Sequence, residues 1–343
     1  MKRTILYAYI ALLIAVGLPF LANLGERDAH AAPYGCGEAN PTPLPAVDEA
    51  PLPSVSPAAP TEAAPPPAPE TISVLKKDGS VEEMDMQAYL RGVVSAEMPP
   101  GFHPEALKAQ AVAARSYAMY CASFAKHGAA QVCTDYACCQ AWQSEEECKA
   151  KWGERYDENA EKIRAAVEGT RGEYLASGGS AVFAAFHSSS AGATENSADV
   201  WSAVPYLVSV ESPETAEDVP NYISVVQCSP IDFRDTLLSA HPEADFSGAE
   251  EEWVGDMRHD ASGRVASVVL GGVDLEGKEL RKLFSLRSTA FELAYDAGVF
   301  TFTVTGFGHG VGMSQYGADK MARQGADYTE ILSHYYPGTV LVK

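Results

Sequence analysis

"DMQAYLRGVVSAEMPPGFHPEALKAQAVAARSYAMYCASFAKHG", Asp85 to Gly128, is the stretch that decides how this chain folds. Met86, Leu90, Val93 and Val94 recur on one helix face, and Asp85 ahead of them is a good N-cap. Pro99 and Pro100 end that helix, because proline lacks an amide donor and forces the residue before it out of the helical region. Pro104 suits the first turn of a second helix. Its alanine-rich composition favours helix and permits close packing, and it is expected to run about 24 residues to Gly128 as its cap. Continuing the first helix's stripe puts Glu97 on the buried face, in the last turn before Pro99. Desolvation and the negative end of the helix dipole both disfavour a carboxylate there. Two readings follow: a general acid that keeps its proton near neutral pH, or a carboxylate paired with a base such as Arg115 on the next helix.

Upstream, Thr71 to Leu75 and Val81 to Met84 flank Lys77-Asp78-Gly79, a hairpin signal. Further back, residues 33–70 hold twelve of the chain's 22 prolines, mixed with Ala, Glu and Ser. Such a segment buries no core and reads as an extended spacer, assigned to residues 26–70. Ahead of it, Lys2 and Arg3 precede an uncharged, mostly apolar run from Ile5 to Leu24, close to the ~20 residues that span a bilayer. Residues 1–25 are therefore expected to be a membrane anchor, with a cleaved export signal as the alternative. Either way the remainder, 71–343, lies outside the cytoplasm.

Downstream, a helix fits Glu158 to Gly169, and β runs fit Tyr174 to Leu175, Ala181 to Phe186, Val265 to Leu270 and Val299 to Thr305. A last helix carries Asp327 and Glu330 at capping-box spacing, and Pro337-Gly338 turns into a strand at Thr339 to Val342. The mixture predicts an α+β domain of helices and antiparallel β elements around a substrate groove rather than a regular βαβ series. A net charge of −21 argues against nucleic acid as a partner.

Two loops carry polar side chains after β runs. "GFGHGVGMSQYGA", Gly306 to Ala318, lacks the Gly-Lys-Ser/Thr ending of a phosphate loop and the setting of a dinucleotide fingerprint. Its glycines are read as letting the backbone and His309 approach a ligand. Ser314, Gln315 and Tyr316 supply neutral hydrogen bonds suited to hydroxyl and acetamido groups. "HSSSAGATENSADVW", His187 to Trp201, again begins with His and ends on a Trp that could stack on a sugar. Between the helices and these loops lie Cys121, Cys133, Cys138, Cys139 and Cys148, with Cys36 and Cys228 remote. His127, Cys133 and Cys139 fall at six-residue steps, and thiolate with imidazole is good zinc chemistry. Disulfides drawn from Cys121, Cys138, Cys148 or Cys228 are the competing reading outside the membrane.

"YLRGVVSAEMPPGFHPEALKAQAVAARSYAMY", "FHSSSAGATENSADVW" and "GFGHGVGMSQYGADKMARQG…YTEILSHYYPGT" together resemble the stage II sporulation protein D family and its amidase-enhancer relatives, over about Ser73 to Val342. The resemblance implies a peptidoglycan lytic transglycosylase whose acid is Glu97. It implies substrate contacts among Arg115 and Ser116 of the first motif, His187 and Thr194 of the second, and His309, Ser314, Gln315 and Tyr316 of the third. It also implies zinc on His127, Cys133 and Cys139, as in clostridial members. The expected setting is a single-pass protein in the mother-cell membrane, facing the forespore and acting on denuded glycan strands beside a sporulation amidase or endopeptidase and a membrane scaffold. The competing expectations are a non-catalytic glycan binder that enhances an amidase, and a zinc hydrolase.

Overall fold

The structure is a computed structural model that describes residues 37–38, 65–124 and 127–343. The expected anchor and most of the spacer lie outside those residues. Among the described residues no helix is long and apolar enough to cross a membrane.

The opening hairpin forms as expected. β2 (Thr71–Leu75) pairs antiparallel with β3 (Val81–Asp85), while β1 (Gly37–Glu38) pairs elsewhere, along β8 (Ile223–Cys228). Helix α1 (Met86–Glu97) follows directly, with the Asp85 carboxylate accepting the Ala88 N–H. Helix α2 (Pro104–Ala122) starts at its proline, with His103 as cap. It is apolar nearly all round: Ala106, Leu107, Ala109, Ala111, Val112, Ala113, Ala114 and Ala118 are all buried. A helix of that kind belongs at the centre of a core. It is wrapped by α1, by α4 (Tyr156–Gly169), by β5 (Tyr174–Ser177) and by the last two helices, α8 (Gln315–Arg323) and α9 (Tyr328–Tyr335). The expected run to Gly128 is too long. The helix stops at Ala122, and Gly128, at φ +65°, turns a small bridge between His127 and Ala130 instead.

Helix α3 (Glu145–Trp152) was not anticipated, although Ser144 and Glu147 form a full capping box at its start. The expected strand Ala181 to Phe186 is broken. Only β6 (Ser180–Ala181) and β7 (Phe186–His187) pair, because Ala184 and Ala185 bond back to Val182 and Phe183 in tight turns.

A second core forms from residues 223–305. Strands β8, β13 (Val299–Thr305) and β12 (Phe291–Asp296) make an antiparallel sheet, and α6 (Pro230–Ala240) contacts β8 and β13. Strands β9 (Val254–His259), β10 (Val265–Leu270) and β11 (Val273–Glu276) form another. Phe233 stacks on Phe300 at 4.0 Å, with Trp253 and Phe302 around them. The α+β expectation holds; the separate aromatic core was not visible in the hydropathy pattern. One cavity of about 470 Å³ is lined by residues including Phe102, His103, Leu107 and Ala166. Glu97 is not among them.

Candidate active site

Glu97 ends α1 half-buried. Its Oε1 accepts the Ala141 N–H at 2.7 Å, and the Gln315 side chain bonds to the same carboxyl. Burial raises its pKa to about 7, against the smaller opposing effect of those two donors, and no charged group contributes. The alternative pairing with Arg115 is not formed. Arg115 is fully buried and donates to the Glu173 carbonyl (2.7 Å) and the Gln87 side chain (3.1 Å). The first helix thus delivers a carboxyl that keeps its proton up to about pH 7, at the point where α1, the segment after the cysteine cluster and the start of α8 converge.

The glycine loop arrives beside it through β14 (Met313–Ser314), which pairs in parallel with β7. That pairing lays the two histidine loops side by side. His187 faces the Val311 carbonyl with Nδ1 (3.2 Å) and the Ser190 hydroxyl with Nε2 (2.6 Å). A carbonyl can only accept, so Nδ1 carries a proton. Burial, aided by the neighbouring His309 and the Arg264 charge, holds it well below the usual histidine range, since protonating both rings would set two cations side by side. His309 accepts the Val311 N–H on Nδ1 (3.0 Å), and burial with the Arg281 and Arg264 charges lowers it to about 3. Neither imidazole is a cation near neutral pH. His309 remains half-buried at the end of a run of rings: Trp201 lies 5.0 Å from it, Phe183 5.6 Å from Trp201, and Tyr120 5.3 Å from Phe183. Half-exposed rings in sequence suit the apolar faces of sugars.

Two glycines of this loop are required by the protein's own packing. A Cβ at Gly310 would stand 2.5 Å from the Arg264 guanidinium carbon, and one at Gly312 would stand 2.1 Å from the Ala185 carbonyl oxygen. Both have positive φ, +86° and +72°. They let two loops and a buried arginine close on each other. Arg264 itself, 3.6 Å from Glu195, ties the second core beneath the loop.

His127, Cys133, Cys138 and Cys139 bring their ligand atoms within 4.8 Å of one another. His127 Nε2 lies 3.2 Å from Cys139 Sγ and 3.7 Å from Cys138 Sγ. Three sulfurs and one imidazole nitrogen at this separation fit a tetrahedral metal ion, and the cluster could hold one. The expected His127, Cys133 and Cys139 are there, joined by Cys138. No disulfide forms among the described cysteines.

Residues 76–176 match the family described as Stage II sporulation protein. The protein named Stage II sporulation protein D of Bacillus amyloliquefaciens is 40% identical over 264 residues, covering 76% of this chain and 74% of that one. The chain belongs to the stage II sporulation protein D family. The Bacillus subtilis protein of the same name is 38% identical over 265 residues, covering 76% of this chain and 75% of its own. The Bacillus subtilis amidase enhancer is 30% identical over 303 residues, 74% of this chain but only 40% of that longer protein.

This family member spends several of its expected substrate-binding side chains internally. Ser116, fully buried, donates to the Val112 carbonyl and accepts the Leu175 N–H, stapling α2 to β5. Thr194, also fully buried, accepts the Val210 N–H. Ser314 caps α8 through the Gly317 N–H and donates to Glu214, which also accepts the Ser190 N–H and the Ser212 hydroxyl. With Arg115 and His187, these buried residues hold the walls together. Gln315 reaches Glu97, while Tyr316 and His309 stay half-buried beside it in the same loop, Tyr316 packing edge-on against Phe102 at 4.9 Å. The sequence reading missed the Ala141 N–H, which as a backbone donor has no residue signature. It also missed Glu214, one of several acids in the polar run 211–218, and Arg264, which follows the polar turn 259–263; neither stands out locally.

Proposed function

We propose that this protein is a peptidoglycan lytic transglycosylase and that Glu97 is its acid and base. The observation that carries the reading is the Glu97 carboxyl, half-buried at the end of α1, bonded to the neutral Ala141 N–H and Gln315 side chain, and still about half protonated at pH 7. Ordinary glycosidases need two carboxyl groups, one of them to activate water or attack the sugar. A muramic acid residue brings its own nucleophile. Glu97 donates its proton to the glycosidic oxygen as the bond from C1 breaks. The same sugar's 6-hydroxyl oxygen bonds to C1, and the Glu97 carboxylate takes that hydroxyl's proton. No water is consumed, the acid is regenerated, and a 1,6-anhydro end is left. Holding donor and acceptor in one sugar gives the step the advantage of an intramolecular reaction.

Family membership supports a role in sporulation and the cell wall. The preferred substrate is glycan already stripped of peptides, so a sporulation amidase or endopeptidase acts alongside, and a membrane scaffold holds the machinery. In this reading residues 1–25 anchor the chain in the mother-cell membrane with its bulk facing the forespore. Zinc is the ion we assign to His127, Cys133, Cys138 and Cys139. Bound there, it would be held by those four side chains and would cross-link the segment leading to Ala141, as in structural sites. The test is mass spectrometry of products from peptide-free glycan: 1,6-anhydromuramic ends from the wild type and none from Glu97→Gln. The likeness to an amidase enhancer favours a second reading, a glycan binder without activity. That reading is upheld if wild type and variant bind the glycan equally and neither makes new ends.

A further inference from the structure

The segment that brings the Ala141 N–H to Glu97 is fastened to the molecule at several points. Gln140, at its start, is buried and donates to the Tyr89 hydroxyl and the Ala114 carbonyl, both at 3.3 Å. At its end the Gln143 N–H donates to the Gly92 carbonyl of α1 at 3.2 Å. Between them Trp142 lays its indole directly on α1 at Gly92. A Cβ at that glycine would stand 2.2 Å from the indole Nε1 and 2.7 Å from Cδ1. Lys76 Nζ stands over the same indole, 3.5 Å from the ring centre.

A glycine inside a helix costs ~1 kcal/mol relative to alanine. Gly92 is buried and helical, five residues before Glu97, and an alanine there would collide with the indole. The buried Nε1 of Trp142 makes no hydrogen bond. Shape and the Lys76 cation therefore seat the ring, with no contribution from its polar edge.

We propose that Trp142, seated on Gly92, is a positioning residue for Glu97: it clamps residues 140–143 to α1 so that the Ala141 N–H stays against the carboxyl. The inference rests on the Glu97 reading for its meaning in catalysis, but its test does not require activity. The Glu97 carboxyl is faced by Ala141 from the clamped segment and by Gln315 from α8, and no charged group acts on it. The Ala141 N–H bonds best to the ionised form. Releasing it removes one charge-assisted hydrogen bond and makes the acid weaker.

The experiment is a carboxyl carbon-13 NMR titration of the zinc-loaded protein, with Glu97→Gln identifying the resonance. Trp142→Ala should move the Glu97 midpoint up by roughly one pH unit or more, the equivalent of one hydrogen bond to a charged group. Trp142→Phe should keep it near the wild-type value. Gly92→Ala, which helix propensity alone would make stabilising, should displace the indole and reproduce the upward shift. In glycan cleavage the alkaline limb should move with the titration. An unchanged midpoint in folded Trp142→Ala and Gly92→Ala overturns the proposal. Should Trp142→Ala not fold, Gly92→Ala and Trp142→Phe decide it. If Glu97→Gln still yields anhydro ends, the assignment of Glu97 as the acid falls, and the titration still decides the clamp.

Discussion

Replacing Glu97 with Gln should make the protein more stable at pH 8 while abolishing its activity. In the folded chain the carboxyl titrates at about 7 rather than 4.5, because burial penalises the charge. Between those two pH values the unfolded chain has released this proton and the folded chain still holds it. Stability must therefore fall as pH rises through that window and level off above it. The gap, 7 less 4.5, at ~1.4 kcal/mol per pH unit is about 3 kcal/mol, and partial exposure of the side chain brings the expected value to about 2 kcal/mol. Glutamine is isosteric, can still accept the Ala141 N–H, and has no charge to desolvate. Urea unfolding of both proteins, followed from pH 4.5 to 8.5, should show midpoints that nearly coincide at the acid end and separate in the variant's favour by pH 8. A difference that does not change with pH, or a wild type that is the more stable protein at pH 8, would refute the claim that Glu97 carries a desolvated acid.

Activity on peptide-free glycan should fall about tenfold per pH unit above pH 7, as Glu97 loses the proton it must donate; initial rates by product mass spectrometry check this. Chelation should lower the thermal midpoint, and Cys138→Ser should weaken zinc binding in a competition titration, because the cluster's four ligand atoms already converge. Gly310→Val should destabilise the fold by about 2 kcal/mol or more, measured by urea unfolding, since it combines a strained φ with a collision against Arg264. Trp201→Ala should weaken glycan binding about fivefold by calorimetry, the loss of one stacking surface worth ~1 kcal/mol.

The sequence by itself determined the elements that rest on local chemistry. Asp85 caps one helix, Asp327 and Glu330 box another, and Asp78-Gly79 turns the first hairpin, because a cap or turn is decided by residues within a few positions of one another. The apolar stripe also put Glu97 on a buried face, and six-residue steps singled out three members of the His/Cys cluster that could hold a metal ion. Tertiary structure alone decided what those residues meet. Nothing local says that the Ala141 N–H and the Gln315 amide, 44 and 218 positions away, converge on Glu97 while Arg115 turns inward to the Glu173 carbonyl. Nor does spacing say that the loop glycines make room for Arg264 and the Ala185 carbonyl. A side chain's hydrogen-bonding capacity is written in its residue type, but whether it is used on a neighbour or left for a substrate depends on which distant backbone groups the packed core brings within reach.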